Sequence, residues 1–296
     1  MKKFTRRKFL QTGLAGTVFT FAGVSSAIAS GNALRKIDRV QLGNTGIVTS
    51  RLAMGLGTNG WNYESNQTRM GMERFREMVR YGYERGIRFF DTADMYGSHI
   101  CVKEALKIIP REKVTIMSKI WTTELKGKKP EPVPDTLDRI RKELDTDYID
   151  ILLLHCLQNG NWPEEKSYFM EELQKAKDKG IVKKVGISAH NLDAVRRAAD
   201  NKWVDVILAR INHGGKKMDD KPEVVMPVLE RAGKNGKGVI GMKIFGCGEL
   251  VDEENRERSL NYVIKSGNVD SMTIGFESSE QVEDAVNRIT RIVSGV

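Results

Sequence analysis

The sequence predicts an α/β fold, a (β/α)8 TIM barrel with an N-terminal β-hairpin. Two observations predict it: a short apolar segment alternates eight times with a segment of helical periodicity, and the apolar segments are continuous rather than alternating with polar residues. Continuous apolar strands are typical of a parallel sheet that helices cover on the outside. A doubly wound open sheet is the alternative, and eight units in about 240 residues favour the closed barrel.

Each element follows from its own local pattern. Residues 39–48 predict a hairpin that turns at Gly43-Asn44-Thr45-Gly46. The predicted strands are 51–57, 88–93, 114–119, 148–155, 183–188, 204–211, 238–244 and 270–275. The predicted helices are 72–85, 101–109, 135–144, 167–179, 192–201, 222–235, 256–266 and 279–293. No shift in composition separates a second domain, so residues 39–296 are expected to form one barrel.

Charge and composition indicate a globular domain and exclude some partners. The hydrophobic content of 40% and charged content of 29% are ordinary. The formal net charge is +9, but five of these charges lie among the first eight residues, which contain no acidic side chain. The remainder carries no tract of lysine and arginine interleaved with aromatics, so no nucleic acid partner is expected.

The first thirty residues have the pattern of an export signal. A basic head, an uncharged middle from Leu10 to Ala29 and a small-residue end are typical of a secretory signal peptide. Thr5 to Leu10, with Arg6 and Arg7 paired, resembles a twin-arginine signal, which addresses folded cargo to export machinery. We expect a signal peptide over residues 1–29, a connector over 30–38, and a mature protein that is periplasmic or extracellular.

The alternative interpretation of this segment is a retained membrane anchor. Three glycines and several hydroxyl residues dilute its hydrophobicity, and no cysteine follows the small-residue site. We therefore expect no permanent membrane anchor. The three cysteines, Cys101, Cys156 and Cys247, are too few and too widely spaced for a disulfide framework, and buried free thiols are expected.

Polar side chains arrive at the carboxyl ends of three consecutive predicted strands. Asp91 ends the second strand and Tyr96 follows in its loop, while Lys119 ends the third strand and His155 ends the fourth. Active sites of (β/α)8 barrels lie at the carboxyl ends of the strands, so these four side chains are expected to converge. Each alone has an ordinary explanation as a cap, a rim residue or a solvated strand end.

Together, in this order and in their local contexts, they resemble the tetrad of the aldo-keto reductases. The motifs that carry the resemblance are Gly86-Ile87-Arg88-Phe89-Phe90-Asp91-Thr92-Ala93 before Tyr96-Gly97, Met117-Ser118-Lys119, Leu152-Leu153-Leu154-His155 and Val185-Gly186-Ile187-Ser188. The resemblance covers the chain from about residue 39 onward. It implies an NAD(P)-dependent oxidoreductase that interconverts a carbonyl group (aldehyde, ketone or sugar) and an alcohol.

The tetrad implies a proton-transfer device. A free tyrosine has a pKa of about 10, too high for easy proton exchange near neutrality. Lys119 is expected to lower the pKa of Tyr96, and Asp91 to hold Lys119 in place. Tyr96 would then act as general acid and base, while His155 donates to or orients the substrate oxygen.

The resemblance also implies a nicotinamide cofactor, NADP(H) or NAD(H), across the barrel mouth. The positions expected to contact it are Gly57, Thr58, Asn59, Ser188, Met242, Lys243, Gly246, Gly248, Ser278 and Gln281. Met242 is equally explained as core filling, and capping of a helix is an alternative role for Ser278. Glycines at 246 and 248 are expected to let backbone N–H groups approach phosphates.

Several positions depart from the family pattern. Ala189 and Leu208 stand where an Asn and a Gln usually hold the carboxamide. At the adenosine end, Gly275, Phe276 and Gln281 replace the cationic group that grips a 2′-phosphate. A preference for NADP is therefore not secured.

The substrate and the mode of operation stay open at this stage. Trp61, Tyr63, Trp121 and Trp162 are expected in the substrate loops, where they suit a sugar or an apolar ring. Two alternatives to an ordinary reductase are an exported oxidoreductase that never releases its cofactor and a nicotinamide-binding accessory subunit without turnover.

Overall fold

Eight parallel strands close into a barrel in the computed structural model, which describes residues 35–295. They are β3 (Leu52–Gly55), β4 (Phe89–Asp91), β5 (Thr115–Ile120), β6 (Ile149–Leu157), β7 (Val182–Ala189), β8 (Val206–Arg210), β9 (Gly238–Met242) and β10 (Ser271–Gly275). The strands follow one another in chain order around the barrel, and β10 pairs with both β9 and β3. The predicted (β/α)8 fold is confirmed.

Helices follow the strands and cover the outside of the barrel. They are α1 (Asn66–Arg69), α2 (Met72–Glu84), α3 (His99–Leu106), α4 (Val133–Leu144), α5 (Trp162–Glu165), α6 (Ser167–Asp178), α7 (Leu192–Asp200), α8 (Pro222–Lys234), α9 (Glu253–Ser266) and α10 (Ser279–Ser294). Side-chain caps begin three of the longer helices, from Asn191, Asp252 and Ser278. The short helices α1 and α5 were not predicted.

A hairpin precedes the barrel, as expected, and covers its amino-terminal end. Strands β1 (Arg39–Gln41) and β2 (Val48–Ser50) are antiparallel. Leu42, just after β1, is fully buried in the inner cluster of the barrel, and the N–H of Asn44 in the turn donates to the carbonyl of Gly236, just before β9. Since one end is covered in this way, the carboxyl ends of the strands form the accessible mouth.

The apolar core has two layers, as a covered barrel requires. The inner cluster fills the barrel with side chains from strands and hairpin: Leu42, Ala53, Phe89, Met117, Ile151, Leu153, Val206, Leu208, Ile240 and Met242. A larger outer cluster lies between strands and helices. Inward side chains therefore alternate with outward ones along each strand, and the last inward side chain of a strand faces the mouth.

Two sequence predictions concern the chain before the barrel. The proposed signal peptide, residues 1–29, lies outside the described residues, as does most of the predicted connector. Within the described part, the N–H of buried Ile37 donates to the carbonyl of Arg85 at 2.9 Å. Among residues 35–295, no helix has the length and apolar character needed to cross a membrane.

Candidate active site

A buried ion pair forms the floor of the barrel mouth. Asp91 is the last residue of β4, and Lys119 lies one residue from the end of β5, the neighbouring strand. The Lys119 ammonium donates to the Asp91 carboxylate and, at 2.8 Å, to the carbonyl of Thr92. The two charged residues are only 1% and 6% exposed. Because each charge compensates the other, the pair can remain in the barrel interior.

Tyr96 and His155 complete the group above this pair. Tyr96 ends a 3-10 turn over Asp94–Tyr96 that directly follows β4. Its hydroxyl lies 3.4 Å from Nε2 of His155 on β6, and its ring centroid lies 4.9 Å from the Lys119 ammonium. The structure thus brings together all four residues of the predicted tetrad.

Two glycines allow Tyr96 to occupy this position. A Cβ at Gly57 or at Gly60 would overlap the Tyr96 ring, so the loop after β3 can pack against the phenol only without side chains there. Gly55, Gly57 and Gly60 also have the spacing of a dinucleotide-binding Gly-x-Gly-x-x-Gly motif. That motif requires a helix to open directly after it, and α1 begins only at Asn66. Gly57 and Gly60 are instead needed because only glycine leaves room for the Tyr96 ring.

Burial, rather than Lys119, controls the proton affinity of Tyr96. Desolvation raises the pKa of Tyr96 well above its usual value, and the negative charge of Asp91 raises it further. The expectation that Lys119 lowers this pKa is wrong, because the Lys119 charge is matched by Asp91 in direct contact. Tyr96 is therefore a protonated phenol at neutral pH, which suits it to donate a proton.

His155 is a neutral imidazole in this environment. Burial lowers its pKa well below the usual value, and the positive charge of Lys119 contributes in the same direction. A neutral imidazole carries one N–H donor, and the hydrogen position decides which nitrogen donates. Nδ1 of His155 is buried and has no hydrogen-bond partner among the described residues. The ring can thus present Nε2–H to a ligand oxygen beside Tyr96.

A polar network outside the barrel fixes the turn that carries Tyr96. Arg139 on α4 binds both carboxylate oxygens of Asp94, at 2.8 and 3.2 Å, and also contacts Glu143 at 3.2 Å. Glu143 in turn contacts Nδ1 of His99 at 2.7 Å, and Nε2 of His99 contacts the hydroxyl of Ser118 at 2.8 Å. The network joins the start of the turn to the strand that carries Lys119.

A groove of about 480 Å³ runs from Tyr96 along the ends of β9, β10 and β3 to the first turn of α10. Seven of the residues expected to contact the cofactor line it: Gly57, Thr58, Asn59, Met242, Lys243, Gly248 and Gln281. Met242 also belongs to the inner core cluster, which confirms core filling, while its contact with a cofactor stays a prediction. The volume lies within the range of small-molecule sites.

Three expected cofactor contacts, Ser188, Gly246 and Ser278, lie outside this lining. Ser188 is buried near the end of β7. Ser278 caps α10 by accepting from the N–H of Gln281 at 3.4 Å, which supports the capping alternative. The N–H groups of Gly246 and Gly248 already donate to the carbonyls of Lys243 and Phe245 at 2.8 and 3.0 Å. The tight turn therefore uses these two amides itself, and the expectation that backbone N–H groups of this loop approach phosphates stays a prediction.

The far end of the groove contains residues that the sequence analysis missed. Arg256 from α9 and Asp284 from α10 line it and are joined at 3.1 Å, and Glu277 lies in the loop after β10. Helical periodicity places the first two on helices, but nothing local indicates which side chains reach a site. Nε of Arg256 and the hydroxyl of Thr273 are buried without a hydrogen-bond partner in the described chain, so the groove offers polar atoms to a ligand.

Aromatic side chains line one side of the mouth. Trp61 and Trp121 meet edge to face with centroids 5.1 Å apart, and Trp121 lies 5.7 Å from the His155 ring in the same manner. Tyr63 is exposed. Trp162 is 1% exposed and donates to the carbonyl of Ala194 at 3.2 Å, so its predicted place in a substrate loop is wrong.

The cysteines differ in exposure and are all free. Cys101 is buried, Cys156 is half-buried and Cys247 is exposed along the groove. The expectation of buried thiols therefore holds for Cys101 alone. The Cys156 sulfur lies 3.8 Å from Nε2 of His190 at the mouth.

Residues 53–292 match the aldo/keto reductase family, which is most of the chain. The chain belongs to that family. Family and site agree, since the match spans almost the whole barrel and the four converging residues stand near the strand ends, with Tyr96 in the turn after β4.

Individual relatives of this aldo/keto reductase are distant or partial. L-galactose dehydrogenase of Arabidopsis thaliana is 25% identical over 299 residues, covering 88% of this chain and 91% of that protein. Methylglyoxal reductase DkgB of Salmonella typhi is 32% identical over 122 residues, 40% of this chain and 44% of that protein. The match to a Glycine max relative covers 48% of that protein. The chain thus spans about half the length of several curated relatives.

Solved structures confirm the fold. Aldo-keto reductase AKR11C1 of Bacillus halodurans superposes with a TM-score of 0.69 at 20% identity, covering 86% of this chain and 91% of that one. The thermostable aldo-keto reductase Tm1743 gives a TM-score of 0.66 at 19% identity, covering 87% and 99%.

The family uses NAD(P)H, and the groove fits such a cofactor. It is long, it ends at Tyr96, and it contains the unpartnered polar atoms of Arg256 and Thr273. The ammonium of Lys243 also lines it and has no ion-pair partner within residues 35–295, so it is available to a phosphate.

Proposed function

We propose that this aldo/keto reductase reduces a small polar carbonyl compound, with Tyr96 as the general acid. The observation that carries the proposal is the Tyr96 hydroxyl, 3.4 Å from Nε2 of neutral His155, on a ring whose centroid lies 4.9 Å from the ammonium of the Lys119–Asp91 pair. The nicotinamide cofactor, when bound, supplies or accepts the hydride.

The protein residues supply the proton and the orientation. A carbonyl oxygen placed between the Tyr96 hydroxyl and His155 Nε2 accepts two hydrogen bonds, which fix its position. When the carbonyl group becomes an alkoxide, the proton moves from the Tyr96 hydroxyl to the alkoxide oxygen. The tyrosinate that remains lies beside the Lys119–Asp91 pair, with its ring centroid 4.9 Å from the ammonium.

The aromatic wall favours a sugar or a similar hydroxylated carbonyl as substrate. Trp121 faces His155, and its indole Nε1 is buried without a partner in the described chain. An aromatic face packs on the C–H face of a sugar, and the free N–H can donate to a hydroxyl group. The name of the Arabidopsis relative, L-galactose dehydrogenase, agrees with this class.

Exchange of the proposed acid tests the mechanism. Tyr96→Phe removes only the hydroxyl, so kcat for reduction should fall about 10²–10⁴-fold, with little change in the dissociation constant of the cofactor. The measurement is steady-state reduction of a panel of aldoses and simple aldehydes with NADH and NADPH, together with cofactor titration by fluorescence.

Tyr168→Phe is the matched control, since Tyr168 is an exposed residue of α6 outside the groove lining. It should retain wild-type turnover. A Tyr96→Phe variant as active as this control would contradict the role of Tyr96.

We also propose that the protein is exported in its folded state. The proposal rests on the basic Arg6-Arg7 segment, the uncharged stretch after it and the absence of a disulfide framework. If the outer compartment lacks free nicotinamide cofactor, the exported enzyme would keep its cofactor bound through successive turnovers.

A further inference from the structure

The groove has a defined polarity. Hydride transfer requires the nicotinamide at Tyr96, so a dinucleotide in the same groove places its adenosine at the opposite end, near the first turn of α10. Charged or polar side chains at that end are Glu277, Gln281 and Asp284, with Arg256 and Asn66 beside them.

Glu277 is held in place as an exposed carboxylate. Its Oε1 accepts from Nδ2 of Asn66 at 2.6 Å, and its N–H donates to the Gln281 side chain at 2.8 Å. The side-chain oxygen of Asn66 also accepts a hydrogen bond from Nη2 of Arg69 at 2.6 Å. Arg69 is absent from the groove lining and faces Glu64 at 3.7 Å. The carboxylate therefore has a neutral amide as its direct partner.

The only guanidinium in the described lining of this end is already paired. Nη1 of Arg256 contacts Asp284 at 3.1 Å, and Asp284 also accepts from Nε of Arg288 at 2.9 and 3.0 Å, so two guanidinium groups share this carboxylate. Of the two carboxylates that line this end, Asp284 thus has guanidinium partners, whereas Glu277 has none among the described residues.

We propose that Glu277 makes this oxidoreductase select NAD(H) over NADP(H). The inference rests on the proposed function, since it needs the nicotinamide at Tyr96. A carboxylate at this end accepts a hydrogen bond from the 2′-hydroxyl of the adenosine ribose, as acidic residues do in other NAD sites. The same carboxylate repels a 2′-phosphate, which carries up to two negative charges.

Binding measurements test the selection apart from activity. NADH and NADPH are titrated by fluorescence energy transfer from tryptophan into wild type and Glu277→Gln, which keeps the shape of the side chain and removes its charge. Wild type should bind NADH at least tenfold more tightly than NADPH. Glu277→Gln should strengthen NADPH binding at least tenfold and weaken NADH binding slightly, and Glu277→Lys should strengthen NADPH binding further.

Glu280→Gln is the matched control, because Glu280 lies in the first turn of α10, just after the loop of Glu277, but outside the groove lining. It should leave the ratio of the two dissociation constants unchanged. A wild type that binds NADPH as tightly as NADH overturns the selection, as does a ratio that both Glu277 variants leave unchanged. In these cases Tyr96-dependent reduction would still stand. Failure to bind either cofactor would overturn the selection and the proposed function together.

Discussion

At the residue scale, charge compensation decides what each polar side chain can do. Lys119 is a cation beside Tyr96, but Asp91 matches its charge, and burial then raises the pKa of the phenol. The sequence located these three residues because strand ends are visible in the apolar pattern. It did not give the direction of the pKa shift, because burial depends on the glycines of a different loop, Gly57 and Gly60, closing over the ring.

The roles of Arg256 and Glu277 in the groove could not be predicted from the sequence either. Both reach the groove through tertiary contacts of a helix and a loop that have no special local pattern. The resemblance to the family indicated that Gly275, Phe276 and Gln281 replace the cationic side chains that bind a 2′-phosphate. The structure adds which charges stand there instead.

His190 makes stability depend on pH. Burial and the positive charge of Arg210 lower the pKa of His190 to about 4, from a usual value of 6.5. Above pH 6.5 the imidazole is neutral in both states, so the full stability is present. Below it, the unfolded chain binds a proton that the folded protein binds only near pH 4, and stability is lost as the pH falls between these values.

We expect His190→Gln to reduce this loss. The melting temperature of wild type should fall between pH 7 and pH 5, and the fall should be smaller in the variant. Thermal melts at both pH values check it, with His213→Gln as the control at a half-buried histidine of another loop. An equal fall in wild type and His190→Gln would show that other groups control the acid response.

At the element scale, local rules predicted most elements well. The predicted and observed bounds of α4, α6, α7, α8 and α10 differ by at most two residues, because capping residues, glycines and apolar periodicity act locally. The 3-10 turn of Asp94–Tyr96 was not predicted, since a single turn has no periodicity. Its position depends on Arg139, which lies in α4, the helix after the next strand of the chain.

Arg139 is therefore expected to act as a positioning residue. Arg139→Met leaves the buried Asp94 carboxylate without its partner, which should lower the free energy of unfolding by about 1–3 kcal/mol. The turn that carries Tyr96 should also loosen, so kcat should fall about tenfold while the dissociation constant of the cofactor stays near that of wild type. Denaturant unfolding, steady-state kinetics and cofactor titration measure the three effects.

Arg141→Met separates this role from a general effect on α4. Arg141 lies on the same helix and pairs with the exposed Asp138 at 2.8 Å. Because surface ion pairs contribute about 0–1 kcal/mol, this variant should be nearly as stable and as active as wild type. If Arg139→Met lost stability but kept full kcat, the network would be structural only.

At the scale of the whole molecule, the hairpin closes one end of the barrel and the active site forms at the other. The hairpin covers the amino-terminal end with Leu42, and the eight strand ends at the other side supply the tetrad and the groove. This arrangement follows from chain order, since parallel strands bring all their carboxyl ends to one side. For that reason the overall fold and the tetrad were predictable from the sequence, whereas the charged residues at the far end of the groove, Arg256, Glu277 and Asp284, were not.

Export of the folded protein is the prediction that concerns the chain as a whole. Replacing Arg6 and Arg7 with Lys keeps the charge of the segment but removes the arginine pair, so a twin-arginine pathway should no longer accept it. We expect the variant to accumulate in the cytoplasm, folded and active, while the wild-type protein is recovered outside it. Cell fractionation with an activity assay measures the distribution.

The paired control is the exchange of Lys2 and Lys3 for Arg, which alters the same basic head but leaves Arg6 and Arg7 intact. This control should be exported like wild type. Export of the Arg6 and Arg7 variant at the wild-type level would contradict a twin-arginine signal. The exported wild type, once purified and denatured, should release stoichiometric NAD(H) if the cofactor is retained. Release of none would mean that the enzyme depends on an external supply, because hydride transfer cannot proceed without it.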